Sequence, residues 1–323
     1  MCTAVSFCRK DHYFGRNLDL HYNYQESVVI TPRNYPFRFY NADHFHNHYA
    51  MIGMATVTEN YPLYYEATNE FGLSMAGLNF PGNAAYLPAQ ENMDNIAPFE
   101  LIPWVLCQCE SVRDAKRLLR SLNLTDVPFN REYKLTPLHW LLSDRNLSVV
   151  IEPRADGICV YDDPVGVLTN NPPFDYHLRN LCNYINLTPD APENRFSSQI
   201  TIHPYSHGMG AIGLPGDLSS ASRFIRAAFT KLNSQCNDTE SECVSQFFHI
   251  LNAVAQTRGC AKIGDRYEIT VYSSCCNTDK GIYYYTTYDN AQITAVQLFS
   301  AELDTSVLQS YPLIKAQQIH YMN

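Results

Sequence analysis

The chain predicts an α+β fold with β-sheet in the middle and helices outside. Three patterns carry that expectation. Alternation rich in Thr, Val, Phe and Tyr runs through most of the chain up to residue 78 and returns around 140–169 and 268–298. Helical spacing of apolar residues is confined to 99–119, 174–184 and 222–256. No Pro/Gly/Ser-rich linker and no internal repeat divides the 323 residues, so 1–323 reads as one domain.

Taken in order, residues 2–9 alternate, Lys10-Asp11 turns and 12–17 return, which predicts a β-hairpin with Cys2 as its first residue. Strands follow at 27–31, 49–56, 63–67 and 73–78, the last two joined by the turn sequence Asn69-Glu70-Phe71-Gly72. Helices are predicted over 99–108 and 112–119, the second opened by Ser111 with Asp114 three residues on, a capping-box pattern. Strands return at 140–143, 149–152, 158–161 and 165–169, with turns at Asp144-Arg145-Asn146 and Ala155-Asp156-Gly157. Residues 174–184 read as a helix, and 222–232 and 245–256 read as stronger ones. In the first of these two, Phe224, Ile225, Ala228, Phe229 and Leu232 form an apolar stripe. Strands at 268–274, 282–287 and 293–298 close the pattern.

Composition narrows the function classes. With 46% hydrophobic residues the chain can build a sizeable core. A net charge of −9 and the absence of any run of five or six Lys/Arg argue against a nucleic-acid surface. No stretch approaches 18 consecutive apolar residues, and the start lacks the basic-then-apolar order of a secretory signal, so a soluble cytoplasmic protein is expected. The eleven cysteines are odd in number, scattered and without CxxC spacing, which reads as buried thiols rather than disulfides or a zinc site. His44, His46 and His48 would share one face of a strand, but the polar segment around them reads as a solvated loop rather than a metal site.

Cys2 is the residue that points to chemistry. Methionine aminopeptidase trims Met1 when the next side chain is small, and trimming would leave a cysteine with both a free thiol and a free α-amino group. Thiols titrate near 8.5 and α-amino groups near 8, so one residue would hold a nucleophile and the base that serves it. The segment Phe14-Gly15-Arg16-Asn17-Leu18-Asp19 adds a cation for a thiolate and an anion for an ammonium. In a regular strand Arg16 and Asp19 face opposite sides, so a bend after Asn17 is expected to aim both at Cys2. Asn79, Asn170 and Arg223 lie in Gly77-Leu78-Asn79-Phe80-Pro81, in Leu168-Thr169-Asn170-Asn171-Pro172 and just after Gly213-Leu214-Pro215-Gly216-Asp217. Asparagine offers neutral N–H donors for an oxyanion, and Arg223 in a first helical turn could steer an anion. Singly, each Asn is more often a turn residue, and Arg223 and Arg226 solvated ones.

Together these motifs resemble the choloylglycine hydrolase family of N-terminal-nucleophile hydrolases, and within it the bile salt hydrolases more than the penicillin V acylases. The resemblance covers essentially the whole chain. Its motifs are Met-Cys-Thr at the start, Phe-Gly-Arg-Asn-x-Asp, Asn-Glu-x-Gly-Leu-x-x-Ala-Gly-Leu-Asn-Phe-Pro, Leu-Thr-Asn, Gly-Leu-Pro-Gly-Asp, Ala-Ser-Arg-Phe-Ile-Arg and Gly-Ile-Tyr-Tyr-Tyr. The resemblance implies a four-layer αββα fold and hydrolysis of an amide between an acyl group and a small amine, with no metal or organic cofactor. Cys2 would attack, Arg16 and Asp19 would tune its thiol and amine, Asn79 and Asn170 would hold the oxyanion, and Arg223 would support the site. Asn79 leans toward conjugated bile salts, because the acylases usually carry tyrosine there.

A steroid substrate needs apolar loops, for which Leu18, Tyr24 and the 129–138 segment with Phe129, Leu135 and Leu138 are candidates. Gly208-Met209-Gly210 resembles versions that favour taurine conjugates, and residues 186–198 resemble a segment that builds a homotetramer. Two other readings stand beside this one. One is a penicillin V acylase or related N-acyl amidase on the same scaffold. The other is a non-catalytic thiol or metal-binding protein.

Overall fold

The computed structural model describes residues 1–323. Its first third is strand: β1 (Cys2–Cys8), β2 (His12–Leu20), β3 (Ser27–Thr31), β4 (Met51–Thr58), β5 (Tyr61–Asn69), β6 (Ser74–Asn79) and the short β7 (Asp94–Ile96). Helices α1 (Leu101–Leu106) and α2 (Val112–Leu118) follow, then β8 (Leu122–Leu124), β9 (Leu138–Ser143), β10 (Ser148–Arg154), β11 (Gly157–Asp162) and β12 (Val167–Leu168). The last part holds α3 (Phe174–Asn180), α4 (Ser220–Asn233), α5 (Glu240–Asn252), β13 (Lys262–Ile263), β14 (Arg266–Tyr267), β15 (Ile269–Asn277), β16 (Ile282–Thr287), β17 (Asn290–Gln297) and β18 (Gln309–Pro312). No helix is long and apolar enough to cross a membrane.

Two antiparallel sheets stack face to face. One has the order β12-β1-β2-β15-β16-β17, the other β11-β10-β9-β6-β5-β4-β3-β18. Helices α4 and α5 cover the first sheet, α1 covers β5 and β6 of the second, and β1 and β2 pack on β6 between the two. The result is the expected four-layer αββα arrangement. One apolar cluster joins α4 and α5 to both sheets, and a second lies between the second sheet and the α1–α2 side. Because β1 is covered on both faces, six of its seven residues are buried, and its alternation carries little polarity.

The local rules hold where the signal is local. Ser111 caps α2 by accepting from the Asp114 N–H, while its hydroxyl donates to the Asp114 carboxylate at 2.6 Å. The strand predicted over 165–169 shrinks to two residues because the Asp163 carboxylate accepts the N–H groups of Val165, Gly166 and Val167 at 2.8, 2.8 and 3.0 Å, bending the chain there. Helix α5 starts five residues before its predicted start, with Thr239 at its N-cap. The histidine loop departs from expectation at His48. That ring is buried, with its nitrogens 2.9 and 2.8 Å from the carbonyls of Tyr49 and Tyr35. The eleven cysteines are all free, and six are buried.

Candidate active site

The β1–β2 ladder sets which side chains meet. Cys2 pairs with Leu18 and Ala4 with Arg16, and directly opposed residues project to the same face. That face looks toward the second sheet. Arg16 reaches across, its Nη1 donating to the carbonyls of Gly77 at 2.6 Å and Tyr65 at 3.1 Å. Asn17 and Asp19 take the opposite face. The Asn17 amide donates to the Leu251 carbonyl of α5 at 2.9 Å, and the Asp19 carboxylate accepts from the Thr270 hydroxyl at 2.7 Å.

The expected bend after Asn17 is therefore absent, since β2 runs unbroken to Leu20. The irregularity sits in the partner strand, where β15 shifts register between Thr270 and Tyr272, opposite Asp19 and Leu18. Gly15 makes this close packing feasible, because a Cβ there would lie 2.0 Å from the Ser274 carbonyl oxygen.

Met1 prolongs the ladder by one residue. Its ammonium donates to the Asp19 carbonyl at 2.9 Å and pairs with Glu268, and its own carbonyl accepts the Asp19 N–H at 3.0 Å. Burial lowers the pKa of this ammonium, an effect opposed by Cys2 and Asp19 and reinforced by Arg223 and Arg16. Cys2 is 2% exposed, and its nitrogen donates to Asn170 Oδ1 at 2.7 Å. The atom that trimming would convert into an α-amine already rests on a side-chain acceptor.

Asn170 Oδ1 also accepts from Arg223 Nη2 at 2.8 Å. Two donors converging on one atom fix the amide orientation, so Nδ2 points the other way, to the Asn79 main-chain oxygen at 2.8 Å. Asn79 ends β6, with its side chain half-buried. Arg223 is fully buried and also donates to Thr3 Oγ1 at 2.7 Å, to the Leu218 carbonyl at 3.1 Å and to the Cys2 carbonyl. It steers no distant anion, because its donors are consumed inside the protein. Arg226 is partly exposed, and it ties α4 to the carbonyls of Ala253, Pro215 and Asp217.

Two polar atoms in this buried cluster stay open. Asp19 Oδ2 and Arg16 Nη2 have no partner. Burial raises the Asp19 pKa, while Arg223, the terminal ammonium, Thr270 and Arg16 pull it down. For Arg16, burial disfavours the charge, but Cys2, Tyr272, Glu66 and Asp19 outweigh it and hold the guanidinium above its ordinary pKa. Buried charges persist when paired.

The apolar candidates divide. Leu18 lies beside Cys2 in the shared core. Tyr24 packs tilted and Phe129 edge-on against Tyr133, with ring centroids 6.2 Å apart in both pairs. Leu135 is exposed, and Leu138 lies 3.7 Å from where a Gly77 Cβ would stand. Met209 belongs to another loop, where its sulfur accepts from the Tyr205 N–H. Gly210 there is forced by packing, since a Cβ would fall 2.1 Å from the Asp190 carbonyl oxygen.

Sequence reasoning missed the supports. His139 and His177 hold the carbonyls of Thr169 and Asn170 at 2.8 and 3.0 Å. Glu66 and Glu268 are buried carboxylates beside Arg16 and Met1. The lone charged residue of β5, between Tyr65 and Ala67, is the signal that marks Glu66.

A cysteine at a strand start, its nitrogen on a buried asparagine and a four-layer αββα sandwich define an N-terminal-nucleophile amide hydrolase. The profile described as linear amide C–N hydrolases, choloylglycine hydrolase family, matches residues 2–311, and the chain belongs to that family. It is 53% identical over 324 residues to a bile salt hydrolase/transferase of Lactiplantibacillus plantarum, covering 100% of both chains. A crystal structure of a mutant conjugated bile acid hydrolase from Clostridium perfringens superposes with a TM-score of 0.93 at 36% identity, covering 100% of both. A penicillin V acylase from Agrobacterium tumefaciens shares the fold, with a TM-score of 0.74 at 17% identity over 96% of this chain and 90% of its own.

Proposed function

We infer that the chain hydrolyses the amide of conjugated bile salts, with Cys2 as nucleophile once Met1 is removed. The observation that carries this reading is the hydrogen bond from the Cys2 nitrogen to Asn170, itself fixed by Arg223. The Cys2 thiol passes its proton to the α-amine as its sulfur adds to the amide carbonyl carbon. Asn79 and Asn170 offer amide N–H donors to the oxyanion; for Asn170 this means exchanging the Asn79 carbonyl for substrate. Collapse breaks the C–N bond as the α-ammonium protonates the departing amine, and water then cleaves the thioester, restoring the thiol. Arg16 shares the thiol's face, and Asp19, on the opposite face, bonds Met1 through its main chain before trimming.

Leu18, Tyr24, Phe129, Leu135 and Leu138 are the proposed acyl contacts. The loop carrying Met209 faces the choice of amine, with taurine conjugates preferred. An amine in place of water would give acyl transfer, the second activity in the name of the L. plantarum hydrolase/transferase. A single domain fits the interleaving of the two sheets in sequence. We further propose a cytoplasmic enzyme that assembles as a homotetramer through the segment around 186–198.

The test is release of taurine and glycine from taurocholate and glycocholate, with penicillin V in parallel and intact mass on the same sample. Loss of Met1 and a drop of about a thousandfold or more in Cys2→Ala are expected. Release from penicillin V alone would reassign the substrate, and activity in protein that keeps Met1 would overturn the mechanism.

A further inference from the structure

We propose that Glu66 is a positioning residue for the reaction, a buried inter-sheet carboxylate that fixes the guanidinium of Arg16 beside Cys2. This rests on the reading of Cys2 as the nucleophile. Glu66 projects from β5 in the second sheet and is 2% exposed. An isolated carboxylate at such a place is costly, so its partners matter. Its Oε1 accepts from Ser274 Oγ at 2.9 Å and from the Tyr283 hydroxyl, and its Oε2 accepts from the Tyr272 hydroxyl at 2.7 Å. All three donors belong to β15 and β16 of the first sheet. Burial, reinforced by Glu66 itself, keeps both tyrosines protonated and therefore donating.

Arg16 is tied to this carboxylate twice. Its Nε, which donates to the Asn17 carbonyl at 3.5 Å, lies 3.9 Å from Glu66 Oε2 as an ion pair, and its main-chain N–H donates at 3.1 Å to Ser274 Oγ, the same hydroxyl that donates to Glu66. Its Nη1 is spent on the carbonyls of Gly77 and of Tyr65, the residue preceding Glu66. The planar fork is thus held on one side and leaves Nη2 as its open nitrogen. A guanidinium fixed this way presents charge to the thiolate or the oxyanion without reorganising during the reaction. A Glu66 that merely glued the two sheets together would support folding and nothing more.

A double-mutant cycle separates the two roles. Taurine release from taurocholate and the rate of Cys2 alkylation by iodoacetamide are measured on full-length, trimmed protein across about pH 5 to 9, in the parent, Glu66→Gln, Arg16→Leu and the double variant. Expected is a fall in kcat of about tenfold or more in Glu66→Gln with KM within about threefold, and an altered alkylation profile. In the Arg16→Leu background the same change should alter either readout by less than about twofold. Losses that multiply, or a Glu66→Gln enzyme equal to the parent, overturn the proposal. Should Glu66→Gln fold poorly, Glu66→Asp keeps the charge. Its alkylation profile should then stay close to the parent's, and a profile as altered as that of Arg16→Leu overturns the role. A parent without Cys2-dependent amine release would sink the functional reading, while the alkylation cycle still reports on Glu66 and Arg16.

Discussion

His177 shows how much of the site hangs on side chains that touch no reactant. Burial pushes its pKa down to about 4, so the ring is neutral at physiological pH, and its Nε2–H donates to the Asn170 carbonyl. A folded-state value below the usual 6.5 means that its contribution is complete above about pH 6.5 and fades as pH falls toward 4. His12, also at about 4, has the same sign. Asp163 and Glu100, raised to about 6 by burial, run the other way. Replacing one residue isolates its share. The unfolding free energy of His177→Gln, measured with urea, should lie below that of the parent at pH 7, and the gap should narrow by up to about 3 kcal/mol at pH 4.5. A gap that ignores pH would contradict a buried neutral ring. The sequence singles out residues that the fold brings together, since Asn170 and Arg223 meet at Cys2 and Arg16 shares its face, but it does not tell which atoms they use. Arg223 was read as a steering charge, yet its nitrogens end on main-chain and side-chain oxygens of its own protein. Which atoms the interior consumes depends on contacts from strands and helices far apart in sequence.

At the scale of elements, the opening hairpin was legible because its turn and its alternation are local. The β15 irregularity was not, since the strand it faces is some 250 residues away in sequence, as the Thr270 to Asp19 bond illustrates. The edge strand β18 was missed for a similar reason, its sequence gaining meaning only beside β3. The hairpin also bears on the proposed loss of Met1. Met1 is bonded to Asp19 through both its nitrogen and its carbonyl, so a chain that keeps Met1 should fold normally. It lacks a free amine on Cys2. Protein made with methionine aminopeptidase blocked should show a melting temperature within a few degrees of the trimmed form and under about 1% of its amine release. Substantial activity in that sample would show that the Cys2 nitrogen need not be a terminal amine.

For the whole molecule, the layer order was read correctly from where helical and strand periods alternate. What the chain exposes was less legible. The proposed assembly segment, 186–198, contains Phe196, is preceded by Ile185 and is followed by Tyr205, exposed by 83%, 87% and 87%. Apolar residues so exposed are expected to be covered in an assembly. Light scattering should give four times the 36.8 kDa chain mass, and Ile185→Asp with Phe196→Asp should yield a smaller species. A parent that stays monomeric at micromolar concentration would dismiss the tetramer. Arg16, finally, stands on one sheet and is anchored by carbonyls of the other. Neither layer contains a working site by itself. If Arg16 has the proposed role, any loosening that parts the two layers, by heat, denaturant or an oversized core side chain, should lower activity before the helices melt. Catalytic rate in this protein is therefore also a gauge of how tightly the sandwich is shut.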